Sequence, residues 1–323
     1  MKGFARISAT GSYLPEKVIT NQDLEESLDT SDAWIQERTG IKRRHIAAAG
    51  ELTSDMAVSA AQRALQMADC EPNDIDLIIV ATTTPDKVFP STACIVQRKL
   101  GIHGCAAFDV HAACAGYVYA LDVANRYFLT GGSKKALVIG SETYSRILDW
   151  SDRTTCVLFG DGAGAMILDA SIEPGILSTH IHAEGRYEEL LHVPAGISSN
   201  YEAVIAQNAY IQMSGNEVFK KAVGALDAMA RETLADNDVS SADLDWFVPH
   251  QANLRIINAA AKKLRLPAEK VVITVDEQAN TSSASIPLAF DTAVRDGRIQ
   301  HGDLVLFEAF GAGFTWGSAL IRY

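Results

Sequence analysis

The strongest constraint on the fold of this chain is that its second half repeats the first at a nearly constant spacing. "DIDLIIVA" from Asp74 matches "DLDWFVPH" from Asp243 at an offset of 169 residues, and "KALVIGSE" from Lys135 matches "DLVLFEAF" from Asp303 at 168. A third pair, "KLGIHGCAAFDV" and "KLRLPAEKVVITV", is offset by 164. Three matches in one order indicate an internal duplication, against the alternative of chance similarity among generic α/β segments.

Apolar runs of strand length alternate with helical patterns in both repeats. "DIDLIIVATTT" is typical of a buried strand, and "SDMAVSAAQRALQMADC" has its apolar residues at helical spacing. This alternation predicts parallel βαβ units covered by helices. Pro174 and Gly175 interrupt the pattern, so we place the boundary there and expect an N-terminal half at 1–172 and a C-terminal half at 173–323.

The composition favours a folded protein of a reducing compartment. Of the 323 residues 48% are hydrophobic and 21% are charged, which provides a large core and argues against disorder. The net charge of -12 disfavours nucleic acid and anionic membranes as partners. The chain shows no apolar core of signal-peptide length and no apolar stretch long enough to span a bilayer. We therefore expect a cytoplasmic protein that binds neither nucleic acid nor membrane.

One cysteine stands where an apolar strand ends and a helical pattern begins, in "FDVHAACAGYVYALDVA". Unpaired N–H groups and partial positive charge at a helix N-terminus favour a thiolate, so Cys114 is predicted to be a nucleophile. The alternative is a small buried core residue. We assign that role to the other four cysteines, Cys70, Cys94, Cys105 and Cys156, whose odd total and spacing argue against disulfides and structural zinc.

Three loops of the second half follow predicted strands, where α/β proteins gather ligands: "PHQAN", "EQANTSS" and "FGAGFTWGS". Taken alone, His250 could be structural, and Asn253 and Asn280 could be helix caps. The loop from Gly311 to Gly317 is either an ordinary turn or a donor of N–H groups to an oxyanion. If the halves pack face to face, one cleft can collect these loops together with the nucleophile.

Four segments, "DVHAACAGYVYAL", "VPHQANLRII", "QANTSSASIPLA" and "EAFGAGFTWGSALIRY", together resemble the β-ketoacyl-acyl-carrier-protein synthase III family. Members of this family are the initiating condensing enzymes of type II fatty acid synthesis. The likeness extends to "SDAWIQERTGIKRRHI" and "LFGDGAGAMIL" and so covers essentially the whole chain. It implies an α/β thiolase-like fold of two duplicated halves, each with a mixed five-stranded sheet, in a five-layer αβαβα sandwich.

The resemblance implies an acyltransferase in which Cys114 carries the acyl group and His250 and Asn280 complete a triad. N–H groups of Cys114 and Gly313 would hold the oxyanion. An acyl-CoA primer acylates the cysteine, and malonyl-acyl carrier protein then loses CO2 and supplies the attacking carbanion. No cysteine follows Cys156, so the second cysteine that a thiolase uses as a base is missing. No metal or redox cofactor is implied.

The resemblance also implies how acyl-CoA binds. The adenine would stack between Trp34 and Arg153, with Arg38 near a phosphate. Phe89 matches a position where one subunit of a homodimer reaches its partner's acyl pocket, and its bulk favours a short primer such as acetyl-CoA. The pantetheine channel would pass Gly215, Phe219, Asn253 and the loop of Phe310, and Phe310 would also line the acyl pocket.

An acidic carrier protein needs a basic patch on this acidic enzyme. Arg255 and Lys262 lie two turns apart on one predicted helix face directly after His250. We predict that carrier protein docks there, against the alternative of a solvated helix flank. The predicted docking set is Gln251, Ala252, Asn253, Leu254, Arg255, Lys220, Lys262 and Lys263, with Lys221 as a further candidate.

Three alternatives remain open from the sequence. A related condensing enzyme of secondary metabolism could keep the triad and use another starter or malonyl-CoA. A papain-like protease shares the Cys, His, Asn order, but "C-G-S-C-W" is missing. A non-enzymatic acyl-CoA binding protein would not need His250 or Asn280. His111 and the "DEQAN" segment depart from the family pattern, and no role is assigned to His111.

Overall fold

The computed structural model describes residues 3–323. The strands are β1 (Phe4–Tyr13), β2 (Lys17–Thr20), β3 (Arg43–Ile46), β4 (Leu77–Ala81), β5 (Ala106–Val110), β6 (Lys135–Thr143), β7 (Asp161–Ser171), β8 (Ile176–Ala183), β9 (Leu191–His192), β10 (Gln212–Met213), β11 (Trp246–Pro249), β12 (Leu304–Gly311) and β13 (Thr315–Arg322). The helices are α1 (Asn21–Glu25), α2 (Asp32–Thr39), α3 (Thr53–Ala68), α4 (Thr92–Leu100), α5 (Gly116–Thr130), α6 (Tyr201–Ile205), α7 (Gly215–Asp236), α8 (Leu254–Leu264), α9 (Val275–Gln278) and α10 (Ser285–Arg295).

Two mixed sheets share one layout. The first has the order β1-β7-β6-β4-β5, in which β4 is parallel to β5 and β6 while β7 is antiparallel to β6 and β1. The second has the order β8-β13-β12-β11, with β11 parallel to β12 and the other pairs antiparallel. The same order and directions in both sheets are what the duplication in the sequence predicts.

The second sheet has four strands rather than the predicted five. Where the first sheet has β5, the second has a single parallel bridge between Val271 and Phe247, and the N–H of Val272 donates to the Phe247 carbonyl. The ladder stops there because the chain turns into α9 three residues later. The apolar run "VVITV" is therefore a bridge and a loop instead of a strand.

The elements stack in five layers. Helices α3 and α4 cover the outer face of the first sheet, and α7 packs against β12, β13 and α8 outside the second. Between the sheets lie α5 and α10, each in contact with strands of both. The inward residues of α5, including Tyr117, Leu121 and Phe128, are fully buried in a core shared by the two sheets. This is the predicted αβαβα order.

The chain passes from the first sheet to the second between Ser171 and Ile176. Our boundary at 172/173 falls in this stretch, and the division into two units stays a prediction. Within residues 3–323 no helix is both long and apolar enough to cross a bilayer.

Candidate active site

A cavity of about 130 Å³ lies where the heads of α5 and α10 meet the carboxyl ends of β11 and β12. Cys114, His250 and Asn280 all line it, although they come from three distant segments of the chain. Helices α7 and α8 supply apolar wall residues, namely Val218, Ala222, Leu226, Ile256, Ile257 and Ala260. The structure thus brings together the three residues that the sequence singled out.

Cys114 is buried in a short 3₁₀ turn, Ala113–Ala115, directly before α5. The turn begins with Ala113 at a φ of 44°, which lets the chain leave β5 and enter the helix sharply. Gly311 of β12 lies so close that a Cβ built on it would be 2.6 Å from the Cys114 backbone nitrogen. The small residues around the cysteine therefore allow close backbone approach from the opposite half.

The electrostatics of Cys114 differ from our expectation. Burial raises the pKa of its thiol to about 12, and the nearby Ser282 hydroxyl lowers it only in part. The expectation of a thiolate made by the helix terminus alone is therefore wrong, because loss of hydration dominates over the helix end. With its pKa raised in this way, the Cys114 thiol is neutral at physiological pH.

His250 follows β11 and is held on both sides. Its backbone N–H donates to the Glu308 carbonyl at 2.7 Å, and its Nδ1 lies 2.5 Å from the hydroxyl of Ser285. Because Ser285 occupies Nδ1, Nε2 is the ring nitrogen left for a substrate. Burial lowers the pKa of His250 to about 3, so the imidazole is neutral at physiological pH.

Asn280 is fixed through its main chain and its side-chain oxygen. Its N–H donates to the Leu158 carbonyl at 2.9 Å, and its carbonyl accepts from the Gly160 N–H at 3.0 Å. Its Oδ1 accepts from the backbone N–H of Ser282 at 2.9 Å. The Nδ2 group is left to donate into the cavity.

Two groups at this site were not found from the sequence. Ser285, the partner of His250, stood in a serine-rich run that we interpreted only as suited to capping a helix. Glu308 of β12 also lines the cavity, although it lies in the apolar segment "LVLFEAF". A carboxylate within a buried strand was the one available signal, and it gave no hint of which groups would surround it.

Gly313, the predicted second oxyanion donor, is not on the wall of this cavity. From the same loop the wall contains Phe310 and Gly311. The reason is that β12 ends at Gly311, and the turn, with Gly313 at a φ of 131°, then leads into β13. The Gly313 assignment therefore gains no support from the cavity.

The predicted CoA residues form two groups. Trp34 carries two guanidinium groups near its ring, Arg38 at 4.7 Å and Arg153 at 5.2 Å from the ring centroid. Gly215, Phe219 and Asn253 line the cavity instead. Asn253 is also the cap of α8, because its Oδ1 accepts from the Ile256 N–H at 2.9 Å.

Phe89 does not line the cavity of its own chain. Its side chain is 82% exposed, and the neighbouring Val88 is 66% exposed. The assignment of Phe89 concerned the pocket of a partner subunit, and it stays a prediction. His111 is exposed and also lies off the cavity wall.

The predicted docking residues divide by exposure. Arg255 and Lys262 are exposed and, within residues 3–323, form no ion pair, whereas Lys220 pairs with Glu217 and Lys263 with Asp227. Lys221 donates to the Tyr187 hydroxyl. Ala252 is part of the cavity wall, and Leu254 packs near Gly40.

Gln251 is wrongly placed in the docking set. It is fully buried, and its amide donates to the carbonyls of Pro249 and Val272 and accepts from Thr274. These bonds tie the loop after β11 to the segment before α9. A side chain used in this way cannot contact a docked protein.

Two family models match this chain: 3-oxoacyl-[acyl-carrier-protein] synthase III over residues 108–185, and the C-terminal part of the same enzyme over residues 234–323. A β-ketoacyl-[acyl-carrier-protein] synthase III of Thioalkalivibrio sulfidiphilus is 64% identical over 320 residues, 99% of each chain. The chain belongs to the β-ketoacyl-acyl-carrier-protein synthase III family. A second β-ketoacyl-[acyl-carrier-protein] synthase III, from Methylococcus capsulatus, is 58% identical over 100% of both chains.

Solved structures agree with the family. The 3-oxoacyl-[acyl-carrier-protein] synthase III of Aquifex aeolicus superposes with a TM-score of 0.93 at 48% identity, covering 99% of this chain and 100% of the other. The priming β-ketosynthase of the R1128 polyketide pathway gives a TM-score of 0.94 at 36% identity, covering 99% and 96%. The predicted thiolase-like fold and acyltransferase class are confirmed, and synthase III is favoured over a condensing enzyme of secondary metabolism.

Proposed function

We propose that this chain condenses an acyl-CoA primer with malonyl-acyl carrier protein through an acyl-Cys114 intermediate, and so initiates type II fatty acid synthesis. The observation that carries the proposal is the convergence of Cys114, His250 and Asn280 on one buried cavity. We also propose that the reaction takes place in the cytoplasm and needs no metal or redox cofactor, so that dialysis against a chelator leaves the rate unchanged.

In the first half-reaction the Cys114 sulfur attacks the thioester carbon. Its proton ends on the sulfur of the departing CoA, so no net proton is taken up. The developing oxyanion is stabilised by the N–H of Cys114 and by an N–H of the loop at residues 311–313. The raised pKa of the thiol makes this proton transfer part of the attack.

In the second half-reaction malonyl thioester loses CO2 and becomes an enolate. Its oxygen needs donors, and Asn280 offers Nδ2 while His250 offers Nε2 in the tautomer with the proton there. Burial supports this role, because it keeps His250 neutral with a defined partner at Nδ1. The enolate carbon then attacks the acyl carbon on Cys114 and yields the β-ketoacyl product.

The nucleotide end of acyl-CoA is proposed to bind at Trp34. A base stacked between this ring and the Arg153 guanidinium needs roughly 7 Å between them, two contacts of about 3.5 Å. The observed separation is 5.2 Å, so Arg153 moves outward when the base enters. Its exposed ion pair with Asp29 at 3.3 Å offers little resistance.

We propose further that two copies of the chain form a homodimer in which Phe89 reaches the acyl pocket of the other copy. The exposure of the two adjacent apolar side chains Val88 and Phe89 supports this, because contiguous apolar patches on a protein surface mark interaction sites. A bulky phenyl ring at the end of the pocket favours acetyl-CoA over longer or branched primers. Carrier protein docks on the unpaired cations Arg255 and Lys262.

The proposal is tested by intact mass of the protein after mixing with acetyl-CoA. Wild type gains one acetyl group, and Cys114→Ala gains none. His250→Ala and Asn280→Ala accept the acetyl group but condense it poorly with malonyl-acyl carrier protein, since both donors act on the enolate. Acetylation of Cys114→Ala at the wild-type rate would contradict the assignment of the nucleophile.

A further inference from the structure

Ser282 has a buried hydroxyl group to which the fold gives no partner. The residue is fully buried, and its Oγ has no hydrogen-bond partner among residues 3–323. Two other serines of the same segment are bonded: the hydroxyl of Ser283 lies 2.9 Å from the Glu142 carboxyl, and that of Ser285 lies 2.5 Å from Nδ1 of His250. Because an unpartnered buried hydroxyl destabilises a fold, we look for a role of Ser282 other than stability.

The backbone fixes Ser282 next to the catalytic residues. Ser282 begins the 3₁₀ turn Ser282–Ala284 at a φ of 51°, and this turn packs against the 3₁₀ turn Ala113–Ala115, which has Cys114 at its centre. The N–H of Ser282 donates to Oδ1 of Asn280 at 2.9 Å, so its main chain is tied to a residue of the cavity wall. The position of the hydroxyl group is therefore set by the same contacts that build the site.

The hydroxyl of Ser282 is a neighbour of the Cys114 sulfur. It lowers the pKa of the Cys114 thiol and that of the Tyr144 phenol, so it lies within reach of both groups. At physiological pH the thiol is neutral, and a neutral thiol is a weak hydrogen-bond acceptor, which fits the unpartnered Oγ in the described part of the chain. A thiolate in the same place is a strong acceptor, because it is charged. The hydroxyl therefore gains a partner when the sulfur becomes anionic.

Negative charge on the Cys114 sulfur is costly in this setting. Burial and, less strongly, the nearby Glu142 carboxyl raise the pKa of the thiol to about 12. Two groups lower that pKa, and the Ser282 hydroxyl does so more strongly than the N–H of Cys114 itself. Burial lowers the pKa of His250 to about 3, so the imidazole brings no positive charge at neutral pH. Ser282 is thus the side chain best placed to offset the charge.

We propose that the Ser282 hydroxyl donates a hydrogen bond to the Cys114 sulfur whenever that sulfur carries negative charge. The sulfur is negative twice, when it attacks the thioester and when the acyl bond to it breaks during condensation. The O–H bond of the serine stays intact throughout, so no proton is transferred and the balance of both half-reactions is unchanged. This inference rests on the proposed role of Cys114 as the acyl carrier.

The first test is alkylation of Cys114 by iodoacetamide, followed by mass spectrometry of the Cys114 peptide, in wild type and in Ser282→Ala. Because the thiol stays far below its pKa, the rate at each pH falls in proportion to any further rise of that pKa. We expect Ser282→Ala to react about ten-fold more slowly from neutral to mildly alkaline pH, the effect of losing a hydrogen bond to a charged group. Both proteins keep the other titratable groups beside the sulfur or on the cavity wall, namely Glu142, Tyr144, His250 and Glu308.

The matched control is Ser283→Ala, which removes a hydroxyl group one residue further along the same turn. That hydroxyl is bonded to the Ala81 carbonyl and to Glu142, so this variant melts lower and is alkylated at a rate close to that of wild type. Ser282→Ala shows the reverse pattern, since it melts no lower than wild type and is alkylated slowly. Ser282→Gly suits the positive φ and provides a second variant with the same expected alkylation rate.

The second test measures the two half-reactions, both of which Ser282→Ala slows, whereas His250→Ala and Asn280→Ala slow mainly condensation. The inference is overturned if alkylation of Ser282→Ala stays within about three-fold of wild type, which is less than one hydrogen bond to a charged group contributes. It is also overturned if only condensation slows, or if Ser282→Ala melts at a clearly lower temperature, because Ser282 would then be structural. Failure of wild type to become acetylated at Cys114 counts against the proposed function instead.

Discussion

The two helices between the sheets begin in the same way and serve different ends. A 3₁₀ turn, Ala113–Ala115, precedes α5, and a second, Ser282–Ala284, precedes α10. Each turn starts at positive φ, 44° in the first and 51° in the second. The turns contact each other, and each packs on a strand of the opposite half, β12 or β6.

The side chains at the centre of these turns differ in use. Cys114 faces the cavity, whereas the equivalent Ser283 has its hydroxyl 2.9 Å from both the Ala81 carbonyl and the Glu142 carboxyl. The residue three positions before Cys114 is His111, which is exposed. The residue three positions before Ser283 is Asn280, which lies on the cavity wall. A 3₁₀ turn at the head of a helix therefore does not by itself make an active site. The contacts of the side chain at its centre determine what that side chain does.

The largest effect expected from this comparison is that of Cys114→Ser, which gives the first turn the residue type of the second. A serine hydroxyl in the same apolar setting is far harder to deprotonate than a thiol, so acetylation falls by roughly 10³-fold or more. The measurement is intact mass against time with acetyl-CoA. A serine enzyme acetylated at near the wild-type rate would show that the sulfur is dispensable.

The next largest effect concerns the head of α10, where Ser285 holds Nδ1 of His250. Ser285→Ala leaves that nitrogen without its partner and frees the tautomer, so condensation falls roughly ten-fold while acetylation changes less. The readout is the ratio of the two half-reaction rates. An unchanged ratio would mean that the ring is oriented by its burial alone.

Ser283→Ala is the matched control two residues earlier, and it affects stability rather than chemistry. Losing the bonds to Ala81 and Glu142 lowers the free energy of unfolding by about 1–3 kcal/mol. This corresponds to a fall in Tm of roughly 2–4 °C per kcal/mol. Acetylation and condensation, measured well below that Tm, stay within about two-fold. A large loss of activity in a variant that stays folded would contradict the idea that the first turn serves chemistry and the second serves stability.

The smallest effect is expected at the surface of the second half. Arg255→Glu raises the KM for malonyl-acyl carrier protein several-fold at low salt and less at high salt, because exposed charges act mainly on docking and are screened. Acetylation by acetyl-CoA is spared. The control is Lys134→Glu, which makes the same change of charge just before β6 and away from the cavity. We expect it to leave both the KM for malonyl-acyl carrier protein and the rate of acetylation unchanged. Equal loss in both half-reactions would refute the docking surface.

Much of the architecture follows from pattern. The apolar run at Leu77–Ala81 is a fully buried strand, and the alternation of strands and helices produces the layers. The fifth strand of the second sheet could not be predicted, because "VVITV" has strand composition and only the following α9 prevents it from pairing. The start of α9 at Val275, within this run, ended that ladder.

The site shows the same limit. Cys114 was singled out by its position between a strand and a helix, whereas the roles predicted for His250 and Asn280 came from the family resemblance of their segments. The structure places all three on one cavity wall. Gln251 was misplaced, since an amide in a loop after a strand is expected to be exposed until its buried partners are known. The state of the thiol also escaped prediction, because a helix end is visible in sequence while the loss of water around one sulfur atom depends on the whole cavity.

The indole ring of Trp34, with one guanidinium at 4.7 Å and another at 5.2 Å, has a consequence for substrate choice. If the adenine of CoA stacks on this ring as proposed, Arg153 has to move before the base can enter. A shortened thioester that ends at the pantetheine arm has no base, so we expect it to lose this binding contribution and not to require that movement.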